Sequence, residues 1–345
     1  MGGKAPAAAL LVGVVVLAVG LELAGYDAVG ALGALWNGAV GSWYAFTSAT
    51  LVRAVPLIII GLGIALSFRA GVFNIGAEGQ FYAGAIAATW VGLHVGTLPA
   101  PIAITATLVA AGVAGAAWVI VPVLLKRRFG VLEVISTLLL NFVAESLVSL
   151  MVQGPLQESH HIYPQSDQIA DSARLPLLPG TRLHAGILLG ILAAALLSYL
   201  FDRTLWGFRL RAVGAGPRAA EISGRIDAGH MTAVALLLSG VFAGLAGGVE
   251  VSGVSYALYQ NLSPGYGFTA IAVALLARLN PLGVVATGVL FGALEAGAGA
   301  MQRDAGVPAA AVYVVEAVII VAVLLADGYR RVRMAELSVA VETSR

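Results

Sequence analysis

A chain of 345 residues that is 59% hydrophobic and only 11% charged cannot cover a water-soluble surface, since soluble domains carry about a quarter charged residues. Its formal net charge of +1 says little by itself, but the scatter of its basic residues among short loops gives no sign of a nucleic-acid binder. The absence of cysteine excludes disulfides, thiolate nucleophiles and Cys-ligated metals.

A helix needs about twenty apolar residues to cross a bilayer, and backbone in lipid must satisfy its own hydrogen bonds. Apolar runs between polar punctuation therefore predict an all-α fold, a polytopic membrane helical bundle of about ten transmembrane helices. They fall at 5–24, 54–69, 79–98, 101–125, 132–152, 184–202, 230–252, 267–279, 282–301 and 307–326. The first, behind Lys4, has the charged and apolar regions of a secretory signal and a weak cleavage candidate at Leu23-Ala24-Gly25. Its length matches a full span, as in a retained signal anchor. Residues 26–53, with Leu32, Leu35, Trp36, Trp43, Tyr44 and Phe46, are expected to lie in the interface as an external amphipathic segment.

With the N-terminus inside, only Arg53, Arg174, Arg182 and Arg303 among the nineteen Lys and Arg fall outside. Basic residues accumulate on the cytoplasmic side, so both termini are expected there. Residues 153–183, rich in Pro and holding His160 and His161, then form an external loop. Residues 203–229 form a cytoplasmic loop with a short helix, Pro217 to Ile226, too polar for the membrane, and 327–345 a cytoplasmic tail. Gly186/Gly190, Gly240/Gly244 and Gly288/Gly292 are spaced for close helix packing.

Two helix starts stand out. Phe73-Asn-Ile-Gly-Ala-Glu-Gly-Gln-Phe-Tyr is a polar, glycine-rich lead into an apolar helix, and Ser263-Pro-Gly-Tyr-Gly-Phe-Thr-Ala is its counterpart. The first begins at the cytoplasmic face and the second at the external face, which suggests an inverted repeat of spans two to five (54–152) and seven to ten (230–326). Paired interrupted segments of this kind point to a substrate route, and helix N-termini offer unpaired N–H donors; tight turns at ordinary helix starts would look the same. Within the fifth span Asn141 and Glu145 share a helical face, behind Ser136 and Thr137. Glu250, Glu295 and Glu316 are further carboxyls in spans. Charged groups in a span face protein or water, so Asn141 and Glu145 read as a polar lining for a hydroxyl- or amide-bearing solute. Interhelical hydrogen bonding is the alternative, and the one favoured for Glu295 and Glu316. There is no G-x-x-x-x-G-K-[ST] phosphate loop, the adjacent His160 and His161 suit no metal pair, and no hydrolase constellation stands out. An intramembrane enzyme is therefore not expected, nor a cofactor or metal of the chain's own.

At Phe73-Asn-Ile-Gly-Ala-Glu-Gly-Gln, Leu132-Glu-Val-Ile-Ser-Thr, Ala270-Ile-Ala-Val-Ala-Leu-Leu-Ala and Asn280-Pro-Leu-Gly, the sequence resembles the branched-chain amino acid/simple sugar permeases of bacterial ABC importers. Within them it is most similar to nucleoside-importer permeases. The resemblance runs from about residue 50 to 327, so 1–345 reads as a single permease domain of a bacterial inner membrane. It implies two permease subunits forming the pathway, here a heterodimer with a related, shorter permease. It also implies ATPase subunits that use the ATP at the cytoplasmic face, and an external substrate-binding protein. Such permeases dock the ATPase through a helix with an E-A-A-x-x-x-G pattern. Ala219, Ala220 and Gly224 match it, Arg218 stands where the glutamate belongs, and Glu221 lies one turn away. The departure puts in doubt any salt bridge from that first position. The expected pathway residues are Phe73, Asn74, Glu78, Asn141, Glu145 and Phe268, in a lipid-embedded bundle working by alternating access. Nucleosides suit the aromatics flanking the two helix starts; simple sugars and branched-chain amino acids are alternatives within the family. An ion-coupled secondary transporter using Glu145 or Glu295 is the rival from another class, and a membrane receptor a third.

Overall fold

The computed structural model describes residues 4–308 apart from Arg225, with single positions beyond up to residue 321. Most of the expected span at 307–326, with Glu316, and the tail 327–345 lie outside the described residues. Helix dominates: α1 (Lys4–Leu23), α2 (Ala28–Val40), α3 (Trp43–Ala45), α4 (Leu51–Arg69), α5 (Ala77–His94), α6 (Ala100–Phe129) and α7 (Glu133–Val152) come first. They are followed by α8 (Gly186–Arg203), α9 (Leu205–Ala215), α10 (Pro217–Gly224), α11 (Ala228–Glu250), α12 (Tyr266–Leu276) and α13 (Pro281–Ala305). Among the described residues the only β pairing is two isolated bridges, Gln165 with Tyr259 and Leu177 with His184.

The chain divides into two compact units, Met1–Thr50 with Ala293–Arg345, and Leu51–Gly292. In the first, Asp27 caps α2 by accepting the Gly30 N–H at 3.0 Å, and the helix buries Ala28, Ala31, Ala34 and Ala39 while Trp36 stays exposed. Small residues bring α2 against the end of α13, where a Cβ on Gly297 would meet Leu35 O at 2.7 Å. The expected interfacial segment 26–53 is not a single element. Ser42 starts a new helix by accepting the Ala45 N–H at 3.0 Å. From Trp43 the chain stays helical to Arg69, through a π turn at Phe46–Thr50 that Thr50 pins by donating to Ala39 O at 2.7 Å. Arg53, which read as loop punctuation, lies inside this run, within electrostatic reach of the buried Glu250.

In the second unit α11 is the spine, and its glycines set the spacing. A Cβ on Gly244 would meet Ala111 O at 2.3 Å, one on Gly84 would meet Gly244 O at 2.2 Å, and one on Gly247 would meet Phe81 O at 2.1 Å. Backbone therefore touches backbone where α11 crosses α5 and α6, as small-residue spacing allows. Helix α4 packs on α11 and α12, and α5 packs on α11 and α12 in turn. α6 lies along α11, while α13 reaches α4 through Gly61 beside Val284 and Gly288 beside Ile58.

Among the described residues, six helical stretches are long and apolar enough to cross a membrane: Trp43–Arg69, α6, α7, α8, the run Ala228–Ser255 and α13. The chain is thus an all-α polytopic membrane bundle. Two expected spans take another form. α5 is not among the six; Glu78, Gly79, Gln80, Phe81, Tyr82, Ala83, Gly84 and Ala85 are all buried, so protein rather than lipid surrounds its first turns and polar residues are tolerated. α12 has 11 residues, about 16 Å of helix against a hydrocarbon core of about 30 Å. It is a half-helix, preceded by the irregular segment 256–265.

Candidate functional site

The lead into α5 is organised by Asn74, which is fully buried. Its amide donates to Gln80 Oε1 at 2.8 Å and to Ser239 Oγ at 2.9 Å. Its carbonyl accepts from Gly76 N–H at 3.0 Å and Gln80 Nε2 at 2.9 Å. Gly76, at the N-cap, supplies no side chain to the free donors of α5. Asn141 supplies it from α7: its carbonyl accepts the Gly79 N–H at 2.8 Å and its amide donates to Ile75 O at 2.9 Å. Thr137, one turn earlier, accepts from Ile75 N–H at 3.3 Å. Side chain cannot intervene here, because a Cβ on Gly76 would meet Thr137 O at 2.9 Å and one on Gly79 would meet Leu140 O at 3.0 Å.

The second helix start meets the first. Ser263 caps its own helix, accepting from Tyr266 N–H at 2.9 Å and Gly265 N–H at 3.1 Å. The next donor, Gly267 N–H, goes to Glu78 Oε2 at 2.6 Å. A carboxylate at a helix N-terminus also faces the positive end of the helix dipole. Only glycine permits the approach, since a Cβ on Gly267 would lie 2.3 Å from Glu78 N. The Tyr82 hydroxyl donates to Ser263 O at 3.5 Å, and Phe81 stands edge-on to Tyr266 with centroids 6.0 Å apart.

The structure thus brings Asn74, Glu78 and Asn141 together as three buried bonding groups along the lead into α5, with Gln80, Thr137, Ser239, Ser263 and Gly267 as their neighbours. Phe73 and Phe268 do not join them: they are 50% and 46% exposed, and Phe73 packs edge-on against Phe68 at 5.0 Å. Glu145 stands one turn beyond Asn141 on α7 and is exposed. It opens with Tyr82, Ser146, Ser149, Gln260 and Asn261 onto a pocket of about 290 Å³. A wider groove of about 1120 Å³ between α5, α6 and α7 is lined mainly by Ala, Val, Leu and Trp, with His94, Gln157 and Asp167 also lining it. It offers a hydroxylated solute little to bond along its length. Glu295 is half-buried on α13.

The loop 153–183 is stitched to the segment after α11. Ser166 N–H donates to Leu258 O, Ile169 N–H to Tyr256 O and Leu175 N–H to Ser252 O, each at 2.8 Å. Within the loop, Glu158 accepts from Gln165 Nε2 and Tyr163 N–H, both at 2.8 Å. Asp167 accepts from the Ser159 hydroxyl at 2.5 Å and its N–H at 3.1 Å. The Gln165 amide, then the Tyr163 N–H, hold Glu158 below the ordinary carboxylate range, and the Ser159 hydroxyl and amide do the same for Asp167.

The short helix expected at Pro217–Ile226 is α10, Pro217–Gly224. Ala220 is its buried anchor, while Arg218, Ala219, Glu221 and Gly224 are exposed and Ile222 is 85% exposed. Gly224 remains helical and is not a left-handed cap; closure comes from Ile226 N–H donating to Ala220 O at 3.4 Å. α10 rests on α9, and α9 reaches the turn before the first helix start, where a Cβ on Gly214 would meet Arg69 O at 2.0 Å. Arg69 lies over the Phe201 ring at 4.5 Å, and Arg211 donates to Phe201 O. A continuous packed path therefore runs from α10 to the turn that leads into Asn74.

A profile of the branched-chain amino acid transport system / permease component family matches residues 46–324. Among relatives, a guanosine ABC transporter permease of Bacillus subtilis is 37% identical over 323 residues, 91% of both chains. A glucose ABC transporter permease of Haloferax volcanii is 36% identical over 340 residues, 95% of this chain and 89% of the relative. A nucleoside ABC transporter permease of Lactococcus lactis subsp. cremoris is 32% identical over 327 residues, 91% of this chain and 88% of the relative.

Proposed function

We propose, for a chain that belongs to the family of branched-chain amino acid transport system permease components, that its cargo is a nucleoside, moved inward by alternating access and driven by ATP hydrolysed in partner subunits. The observation that carries the nucleoside reading is the 37% identity to a guanosine permease along 91% of both chains. Glucose is the second reading, favoured by a relative of 36% identity and similar coverage.

The chain sits in the cytoplasmic (inner) membrane of a bacterium, beside a second, related permease, with an external binding protein delivering solute. Helix α10 docks the ATPase: it is short, polar and exposed, and it presents Arg218, Ala219, Glu221 and Ile222 outward. Its packing through α9 onto the turn at Arg69 supports a mechanical route from ATPase to helix α5. The inverted repeat pairs α4, α5 and α6 with α11, α12 and α13. The cross-packing of α4 on α12 and α5 on α11, and of α4 on α13 and α6 on α11, is what a two-fold relation between the halves requires. Glu78 to Gly267 joins the two helix starts across that relation, so the halves rock about a bonded pivot.

Competition tests the cargo. In cells expressing the whole transporter, unlabelled guanosine should abolish uptake of labelled uridine, while the same excess of glucose should leave it unchanged. Inhibition by glucose with none by guanosine would transfer the assignment to sugars.

A further inference from the structure

The polar groups singled out as pathway residues are largely consumed by the protein itself. Asn74 and Asn141 bond to backbone and side chains, and Glu78 is committed to Gly267. Glu145 differs. It projects from α7 among the exposed apolar side chains Leu139, Phe142 and Val143, and among the described residues its carboxylate has no hydrogen-bond or ion-pair partner. A charge at such a position must meet water, protein or a solute. It meets the pocket of about 290 Å³ that it forms with Tyr82, Ser146, Ser149, Gln260 and Asn261.

We propose that this pocket is a solute subsite and that Glu145 accepts hydrogen bonds from a vicinal diol, the group shared by a ribose and a simple sugar. The inference rests on the importer reading and adds the contact that recognises the cargo. An ionised carboxylate is a pure acceptor with two oxygens, and carboxylates serve ribose hydroxyls in this way in dinucleotide sites. The pocket falls just under the ~300–1,000 Å³ of sites that enclose a drug-sized ligand, which suits a sugar ring rather than a whole nucleoside. Its rim is built: Gln260 donates to Ser149 Oγ at 2.7 Å, as does Gln153 at 2.8 Å. Asn261 is held at φ +58°, a left-handed conformation that asparagine adopts more readily than most residues. The Tyr82 ring forms one wall while its hydroxyl reaches Ser263 of the second helix start, which links an occupied pocket to the Glu78–Gly267 junction.

The chain contains no cysteine, so a single Ser146→Cys places the only thiol of this subunit in the pocket. The complete transporter, with ATPase, second permease and binding protein, is reconstituted in proteoliposomes and treated with a charged, water-soluble thiosulfonate during ATP turnover. Guanosine, 2′,3′-dideoxyguanosine and glucose are each supplied at a concentration that saturates the binding protein. The proposal expects labelling to be slowed at least threefold by guanosine and not by the dideoxy analogue, with protection lost in Ser146→Cys/Glu145→Gln. Protection by glucose instead would keep the diol site and assign it to a sugar. No labelling, no protection by either diol, or protection unchanged by Glu145→Gln would overturn it, an outcome that fits a carboxylate sealed against the second permease. Uptake by the wild-type transporter in the same vesicles keeps the two readings apart: without ATP-dependent uptake of either solute the importer reading itself falls.

Discussion

Glu78 is the residue on which two distant helix starts converge, 189 positions apart in sequence. Removing its carboxylate leaves the Gly267 N–H buried without an acceptor, at a cost of about 1–3 kcal/mol. Glu78→Ala is therefore expected to lower the thermal stability of the purified transporter by that order, whereas Glu78→Gln, which keeps a carbonyl oxygen, loses less. Equal losses in the two variants would contradict the bonding described. A second residue-scale expectation concerns Glu158 and Asp167, whose folded values are depressed by their hydrogen bonds. A depressed carboxylate stabilises the fold above its unfolded value, and that contribution is lost as pH falls through the folded value. Protection of the Ser159 and Tyr163 amides from hydrogen exchange should hold at neutral pH and fade only below the ordinary carboxylate range. Asp167→Asn should weaken protection at Ser159 at neutral pH already; protection indifferent to both acid and the substitution would refute the assignment.

Among the elements, α10 carries the sharpest expectation. Ile222 is 85% exposed on a helix that buries Ala220, so Ile222→Asp should leave the fold of this subunit unchanged. It should sharply reduce copurification of the ATPase and ATP-driven uptake together, by tenfold or more if the site contributes the ~2 kcal/mol of an interface hot spot. Copurification and uptake at wild-type level would remove α10 from the docking surface. This helix was legible from Pro217 and its polarity, as α7 and α8 were from their apolar runs, because each is bounded by local punctuation. Three features were not. Arg53 read as a break, yet the helical run from Trp43 to Arg69 passes through it. α5 read as a full span, yet it is not among the membrane-length helices, and its polar first turn is tolerated because neighbouring helices bury it. Gly224 matches the glycine that ends the docking pattern, yet it stays helical and the bond from Ile226 to Ala220 closes the helix. Of the candidate site, Asn74, Glu78 and Asn141 stood out as polar groups in apolar surroundings. Their partners Ser239, Ser263 and Gly267 did not, since a hydroxyl or a glycine in a span has many uses and only the fold decides which acceptor it meets.

At the scale of the molecule, the question is where the driving force for transport comes from. Membership of the permease family, the exposed α10 and the packed path from α10 to Arg69 all point to an ATPase partner. The most direct test is uptake of labelled guanosine by cells expressing this chain with its ATPase, second permease and binding protein, beside a strain whose ATPase binds but cannot hydrolyse ATP. The account predicts concentrative uptake in the first strain and none in the second. Uptake that survives in the second and collapses with an ionophore would contradict it and identify an ion-coupled carrier.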